Sequence, residues 1–558
     1  MIRLALTTLT LLALAGCSGK GPLQRGDDLA ASCAKLAQPV EAKYIKLPTT
    51  GASIDSATLV APSELQVAEQ APSPGARITP ALPQHCRVLG RIAPFEPSAP
   101  PILFQLNLPI EWNGRAVQFG GAGFNGRLVT GTGLQPSGLY GAPAPLALGY
   151  ATYGTDSGHP HTADVAPQAF AANDEALENF GHAAYKKVRD VAVQIMIRAY
   201  GRAPQKLYYI GSSEGGREGL AMAQRYPNDF DGVVARVPVI NWTGLQLAGV
   251  RNGLATRGDA WLRPAQVKLV HDAVLASCDA LDGLADGIVS DPVACKQRFD
   301  VTRLRCAAGA SGDGCLSDAQ VAAVQQLHAP YKLPFTVASG STEYPGWGVS
   351  GEATPAHAST GGWSAWWLGS SPPTLPPQPG NGIAWAFGAG TVQHFFTRDP
   401  GVDVATFKPE HYTERIRDVS AVMDATYPYL APFQRHGGKL IILENMADYA
   451  QSPYAGIRYH ESVVAALGQA QVDQFVRLYT APGVDHVGSG APANVDLLAA
   501  LADWVERDKA PAGLELVQQD LKPPFQITNT RPLCAWPLHT HYKSNGPTTQ
   551  AASFECRP

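Results

Sequence analysis

Residues 206–227 read KLYYIGSSEGGREGLAMAQRYP, and the fold turns on how the middle of this stretch is taken. A strand-like run, Leu207 to Ile210, meets a glycine, two serines, a glutamate and two more glycines. Apolar residues then recur at helical spacing until Pro227 stops them. Gly211-Ser212-Ser213-Glu214-Gly215 satisfies G-x-S-x-G. A strand before it and a helix after it are the setting in which a sharp turn lifts a serine hydroxyl clear of the backbone. A Gly-Ser-x-Gly turn between a strand and a helix is common by itself, so the reading rests on what the rest of the chain supplies.

Working outward, RAVQFGGAGF (115–124) reads as a strand entering a glycine loop. Residues 176–201 carry apolar side chains at helical spacing and end on Gly201, and FDGVVARVPV (230–239) reads as a further strand. Strands alternating with helices from about residue 100 to 240 imply a mostly parallel α/β sheet. Residues 240–430 break that rhythm, with four cysteines and a Pro/Gly/Trp-rich tract at 344–382. Buried-strand patterns return at GGKLIILENMADYA (437–450) and DQFVRLYTAPGVDHVGSG (473–490), and 497–508 is a closing helix. No internal repeat is visible. The expected layout is a polar tether at 18–30 and then an α/β domain in two parts, 31–239 and 428–558, interrupted by an inserted domain at 240–427.

A serine elbow of the α/β-hydrolase type requires an acid and then a histidine, in that chain order. Asp448 follows the strand at 439–443 and His486 follows the strand near 475–479. Both fall at the carboxyl ends of strands, where open α/β sheets carry their sites. His486 is expected as general base and acid, and Asp448 as the group that orients it and stabilises its cation. The N–H of Glu214 is expected as one oxyanion donor, with a second from the loop Gly120-Gly121-Ala122-Gly123, where Gly121 and Gly123 are the candidates. Ser212 falls outside the motif frame. Asp485 is read as shaping the histidine loop. His159 could touch substrate or brace a loop.

The bulk numbers fit a folded globular protein and argue against extensive disorder. The chain has 558 residues, 45% hydrophobic and 16% charged, with a net charge of −4. That balance gives no electrostatic footprint for nucleic acid, and no partner of that kind is expected. MIRLALTTLTLLALAGC begins with a basic residue and a short apolar run, too short to span a membrane, and its end looks like a bacterial lipobox with Cys17 as the lipidated residue. The chain is expected to be exported, as an outer-membrane lipoprotein, a periplasmic or a secreted protein, touching a membrane only through that lipid. Of the nine cysteines, eight then remain, an even number suited to disulfides in an exported chain. Local spacing favours Cys278–Cys295, Cys306–Cys315 and Cys534–Cys556, leaving Cys33–Cys86. In CDALDGLADGIVSDPVAC (278–295), Asp279, Asp282 and Asp286, with the carbonyls of Leu284 and Ile288, can converge oxygens on a calcium ion. The loop is not an EF-hand, and a solvated acidic turn closed by a disulfide is the alternative.

YGTDSGH, the elbow with its following helix, the acidic cysteine loop, YPGWGVSGE and RPLCAWPLHTHYKSNG together resemble the tannase and feruloyl esterase family, which includes mono(2-hydroxyethyl) terephthalate hydrolases. The likeness runs from about residue 85 to the C-terminus. It implies an α/β-hydrolase fold with a large inserted lid domain, a triad at Ser213, Asp448 and His486, and a structural calcium on Asp279, Asp282, Leu284, Asp286 and Ile288. Such enzymes usually have cysteines just before the nucleophile and just after the histidine. Here those positions are Ser212 and Val487, so a looser tie between the two loops is expected. The implied activity is a serine carboxylic ester hydrolase for small aromatic acid esters (feruloyl, galloyl or terephthalate monoester), without a redox cofactor. Trp347, Trp363, Trp366, Trp367 and Trp385 are candidate wall residues. A peptidase or acyltransferase on the same fold, or a binding protein without catalysis, are the rival readings.

Overall fold

A computed structural model describes residues 21–25, 28–71, 73–162, 164–352 and 362–558. Cys17 and the apolar run before it lie outside them. Ten strands form one sheet: β1 (Gly51–Val60), β2 (His85–Ala93), β3 (Ile102–Pro109), β4 (Arg115–Phe119), β5 (Ala151–Thr155), β6 (Lys206–Ser212), β7 (Gly232–Arg236), β8 (Lys439–Asn445), β9 (Val476–Ala481) and β10 (Cys534–Ala535), in the order β1-β2-β3-β5-β4-β6-β7-β8-β9-β10. From β5 across to β9 every pairing is parallel. The flanks are antiparallel, β1 to β2 to β3 to β5 on one side and β9 to β10 on the other. The sheet is therefore more mixed than the expected βα alternation. The physical reason is that β1, β2 and β3 follow one another without a crossover helix, which parallel pairing would demand.

Each central strand is buried on both faces, so its residues divide strictly by parity. Leu207 and Tyr209 of β6, Val233 and Ala235 of β7, and Leu440 and Ile442 of β8 face one core. Tyr208 and Ile210, Val234, and Ile441 and Leu443 face the other. The first core is covered by α1 (Ala184–Tyr200), α2 (Glu214–Arg225) and a later helix, Pro453–Leu467; the second is covered by Leu497–Arg507. Helix α1 continues upstream through a π-helical turn at Asn179–Ala183 and ends on Gly201 at φ +75°, a conformation glycine adopts without a Cβ penalty. Leu23, expected in a polar tether, is 1% exposed in the first core, because an apolar side chain next to α1 gains by burial.

Among the described residues, the stretch between β7 and β8 adds no strand to this sheet. It folds over the carboxyl ends of the strands as α3 (Trp242–Ala255), α4 (Pro264–Cys278), α5 (Ile383–Thr391), α6 (Thr413–Met423) and shorter pieces, with its own apolar clusters. Four disulfides are formed: Cys33–Cys86, Cys278–Cys295, Cys306–Cys315 and Cys534–Cys556.

Candidate active site

The end of β6 and the start of α2 make a turn that only this sequence pattern permits. Ser213 sits at φ 59°, ψ −121°, a conformation that costs a non-glycine residue on the order of 1–3 kcal/mol. Its N–H is held by the carbonyl of Arg236 at 3.0 Å. A Cβ at Gly211 would lie 2.1 Å from the Gly215 carbonyl oxygen, so the turn closes only with glycine there. Helix α2 then runs away from the serine, which projects at the mouth between sheet and inserted segment.

Two loops from distant parts of the chain meet it. His486 Nε2 lies 3.0 Å from Ser213 Oγ, and His486 Nδ1 lies 2.7 Å from Asp448 Oδ2. The other oxygen of Asp448 accepts the N–H groups of Ala450 and Gln451 at 2.7 and 3.0 Å. That leaves the carboxylate 3% exposed and fixed in orientation. Asp485 takes the role read for it from sequence: its Oδ1 accepts the N–H groups of Val487 and Ser489, and its carbonyl accepts Asn445 Nδ2. The histidine loop is thus tied to β8 and to itself. Where a covalent tie between Ser212 and Val487 is lacking, Arg236 Nη1 donates to Ser212 Oγ at 2.8 Å.

The glycine loop after β4 lies against the elbow, and its amides are unequal. The Gly121 N–H donates to Glu218 Oε2 at 3.0 Å, and the Ala122 N–H donates to Asn125 Oδ1 at 2.7 Å. Glu218 also accepts Asn125 Nδ2 and the Tyr209 hydroxyl. Gly121 is therefore committed to a buried carboxylate, which removes it from the oxyanion candidates. Gly123, at φ +56°, lines the cavity beside Ser213. His159 braces the same loop: one ring nitrogen lies 2.7 Å from the Phe124 carbonyl, and the ring stacks on Phe170 at 3.7 Å. Burial pushes its pKa down to about 4. Between the ordinary value of 6.5 and about 4, the unfolded chain binds a proton that the folded one refuses, so stability falls as pH falls through that window. Relative to His159→Gln, the wild type should lose roughly 2 kcal/mol between pH 7.5 and pH 5, read from urea unfolding. An unchanged difference would disprove the assignment.

A cavity of about 800 Å³ opens above Ser213. A narrower apolar cleft, lined by Phe124, Trp242, Trp366 and Phe387, adjoins it and also reaches Ser213 and His486. Of the five tryptophans expected as walls, Trp366 alone lines the cavity. Trp347, Trp363, Trp367 and Trp385 are at most 1% exposed inside the inserted segment's core, because an indole there gains more by packing than by facing a wet cleft. Glu214, next to the serine, points away from the cavity and pairs with Arg217. Sequence reasoning missed Phe124, Trp242, Phe387 and Arg236. Only Arg236 left a signal, a charged residue ending an otherwise apolar strand run.

The acidic loop is curled by Gly283 and Gly287 at φ +87° and +82°. Asp279 Oδ1 accepts the N–H groups of Asp286 and Gly287, Asp282 Oδ1 that of Leu284, and Asp286 Oδ1 that of Ile288. Arg531 Nη2 donates to Asp286 Oδ2 at 2.6 Å. Among the described residues no three His, Cys, Asp or Glu side chains are gathered as a metal cage. The donor chemistry still fits a hard cation. All the candidate donors are oxygens, and the Asp282 carboxyl, 2% exposed, is pushed up by burial and by the charge of Asp286.

A family model described as tannase and feruloyl esterase matches residues 86–557. An uncharacterised esterase of Agrobacterium fabrum is 35% identical, the match covering 98% of this chain and 96% of that protein. A mono(2-hydroxyethyl) terephthalate hydrolase of Piscinibacter sakaiensis is 33% identical over 87% of this chain and 86% of its own length. Among solved structures, feruloyl esterase B from Aspergillus oryzae superposes with a TM-score of 0.73 at 25% identity, covering 94% of this chain and 100% of that one.

Proposed function

The chain belongs to the tannase and feruloyl esterase family and is a carboxylic ester hydrolase of α/β-hydrolase fold, and from that premise we propose that it cleaves small aromatic acid esters through Ser213, His486 and Asp448. The observation that carries the reading is the pair of contacts made by His486, 3.0 Å to Ser213 Oγ and 2.7 Å to Asp448 Oδ2. In this mechanism Ser213 Oγ attacks the ester carbonyl carbon while its proton passes to His486 Nε2. Asp448 holds the imidazole with Nε2 towards the serine and offsets the charge it gains. The N–H groups of Glu214 and Gly123 receive the oxyanion. Collapse expels the alcohol, which takes the proton back from His486. Water then repeats the sequence and frees the acid.

An aromatic acyl group is supported by the cleft of Phe124, Trp242, Trp366 and Phe387 beside the nucleophile. Methyl gallate, methyl ferulate and mono(2-hydroxyethyl) terephthalate are the esters to test with purified protein. Turnover of at least one is expected, and none in folded protein would overturn the reading. Amide substrates and alcohol acceptors in the same assay separate a peptidase or an acyltransferase from a hydrolase.

Calcium is proposed as a structural ion held by the carboxylates of Asp279, Asp282 and Asp286 and the carbonyls of Leu284 and Ile288. It would supply charge to a loop where acids crowd. Calcium should raise the unfolding midpoint over that in chelator, by an amount worth about 2.7 kcal/mol at a hundredfold excess over Kd. Asp282→Asn should lose this increment, whereas an equal response in the variant would exclude the loop as the site. Export, as a periplasmic, secreted or Cys17-anchored protein, is supported by the four disulfides. Among the described residues no helix is long and apolar enough to cross a membrane.

A further inference from the structure

We propose that Arg236 forms a carboxylate-binding subsite beside the catalytic serine, so that the favoured substrates are aromatic esters whose alcohol part carries an anionic group. This rests on the ester-hydrolase reading above and adds the substrate's charge to it.

Arg236 ends β7 directly under the elbow and is 6% exposed. Its Nη1 donates to Ser212 Oγ, while Nε has no partner among the described residues. Burying a guanidinium without pairing it is costly, so a fold keeps one there only against an opposing gain. The buried carboxyls of Asp448, Asp485 and Glu444 interact with its charge, and none forms an ion pair with it among the described residues. Asp448 is occupied by His486 and two backbone amides, and one Asp485 oxygen by two more. The guanidinium instead borders the 800 Å³ cavity. Among the described residues lining that cavity, Arg236 is the only lysine or arginine, and there is no aspartate or glutamate. An anion entering it meets one fixed cation and no carboxylate in the wall.

The position of the group selects the alcohol side. A Cβ at Gly488 would lie 3.4 Å from Arg236 Nη2, so the guanidinium stands beside the histidine loop as well as the serine turn. The leaving oxygen must reach His486 to be protonated, which brings the alcohol towards that loop. The acyl ring has the adjoining apolar cleft of Phe124, Trp242, Trp366 and Phe387, whose lining does not include Arg236. A carboxylate a few bonds beyond the ester oxygen can then accept from the guanidinium, as in an aromatic ester of a small hydroxy acid. Planar, forked donors suit a carboxylate better than a point charge would.

The test compares three ferulate esters, those of methanol, glycolic acid and glycolamide, the last two nearly isosteric and differing in charge. A hydrogen-bonded ion in a buried setting is worth about tenfold or more in affinity. The wild type should therefore prefer the glycolate ester over the glycolamide ester in kcat/KM by about tenfold. Arg236→Gln should erase the preference, and Arg236→Lys should keep part of it. Because Arg236 also braces Ser212, absolute rates are expected to fall in both variants. A purely bracing role would lower both esters in proportion and leave their ratio unmoved. A wild-type ratio near one, which needs no variant, or the same ratio in Arg236→Gln, would overturn the subsite. Turnover of the methyl ester alone would leave the esterase reading standing and the subsite refuted, whereas turnover of none would remove both.

Discussion

Ser213→Ala should lower ester turnover by about 10⁴-fold or more while leaving the fold intact. The serine is the atom that bonds to the acyl carbon in the proposed mechanism, and no neighbour can take its place. Ser212 Oγ is held by Arg236, and its position before the elbow residue keeps it out of the His486 contact. Loss of Oγ removes a hydrogen bond of 3.0 Å to His486 but no packing, so the circular dichroism spectrum and urea midpoint should match the wild type. His486→Ala should be as inactive, and the double variant no worse than either single one, because the two side chains act as a unit. A Ser213→Ala protein that kept more than a tenth of its rate on any ester would refute the mechanism. The result separates this enzyme from a binding protein on the same fold, whose ligand affinity would survive the substitution.

Arg217→Ala carries the largest expected cost in stability, about 3–5 kcal/mol. Arg217 has no exposed surface. Its Nε donates to Glu214 Oε1 at 2.7 Å, Nη1 to the carbonyls of Gly181 and Met423, and Nη2 to that of Phe180. One guanidinium thus joins the helix behind Ser213 to the π-helical turn before α1 and to the end of α6. Truncation strands the buried Glu214 carboxylate and takes a donor from the carbonyls of Gly181, Met423 and Phe180, the last of which keeps the Tyr185 hydroxyl. Removing both charges, as Glu214→Gln with Arg217→Met, should cost less than removing the arginine alone, since no uncompensated ion then remains. Equal or greater loss in the double variant would mean that the arginine acts through its carbonyl contacts instead. Because Glu214 opens α2 next to Ser213, the single variant should also lose activity below its unfolding temperature.

The expected triad positions could be read from sequence because the elbow's pattern is backbone chemistry. A strand, a glycine-flanked serine and a helix leave few conformations open, and Asp448 and His486 stand directly after apolar runs that only buried strands explain. The antiparallel start of the sheet was less legible. β1 alternates partly exposed residues at the sheet's edge, and such an edge lacks the continuous apolar run of a central strand. The tryptophans of the inserted segment were equally opaque. Four tryptophans in one tract and Trp385 just after it look alike in sequence, and burial alone separates Trp366 from the four that pack inward.

Arg236 and Gly121 mark where local sequence stops informing. A strand ending in arginine says nothing of where the guanidinium goes. That depends on β8 and the histidine loop, more than 200 residues later, closing over it. Gly121 and Gly123 are equivalent as letters, and Glu218, on the helix beyond the serine, takes the amide of one of them. By itself the sequence determined the strand–turn–helix order, the family and the residues able to do the chemistry, because periodicity and tight turns are local properties of the chain. Which side chains face the cavity, which amide is free and where an unpaired charge is held were decided only by tertiary structure, because each depends on contacts between segments far apart in sequence.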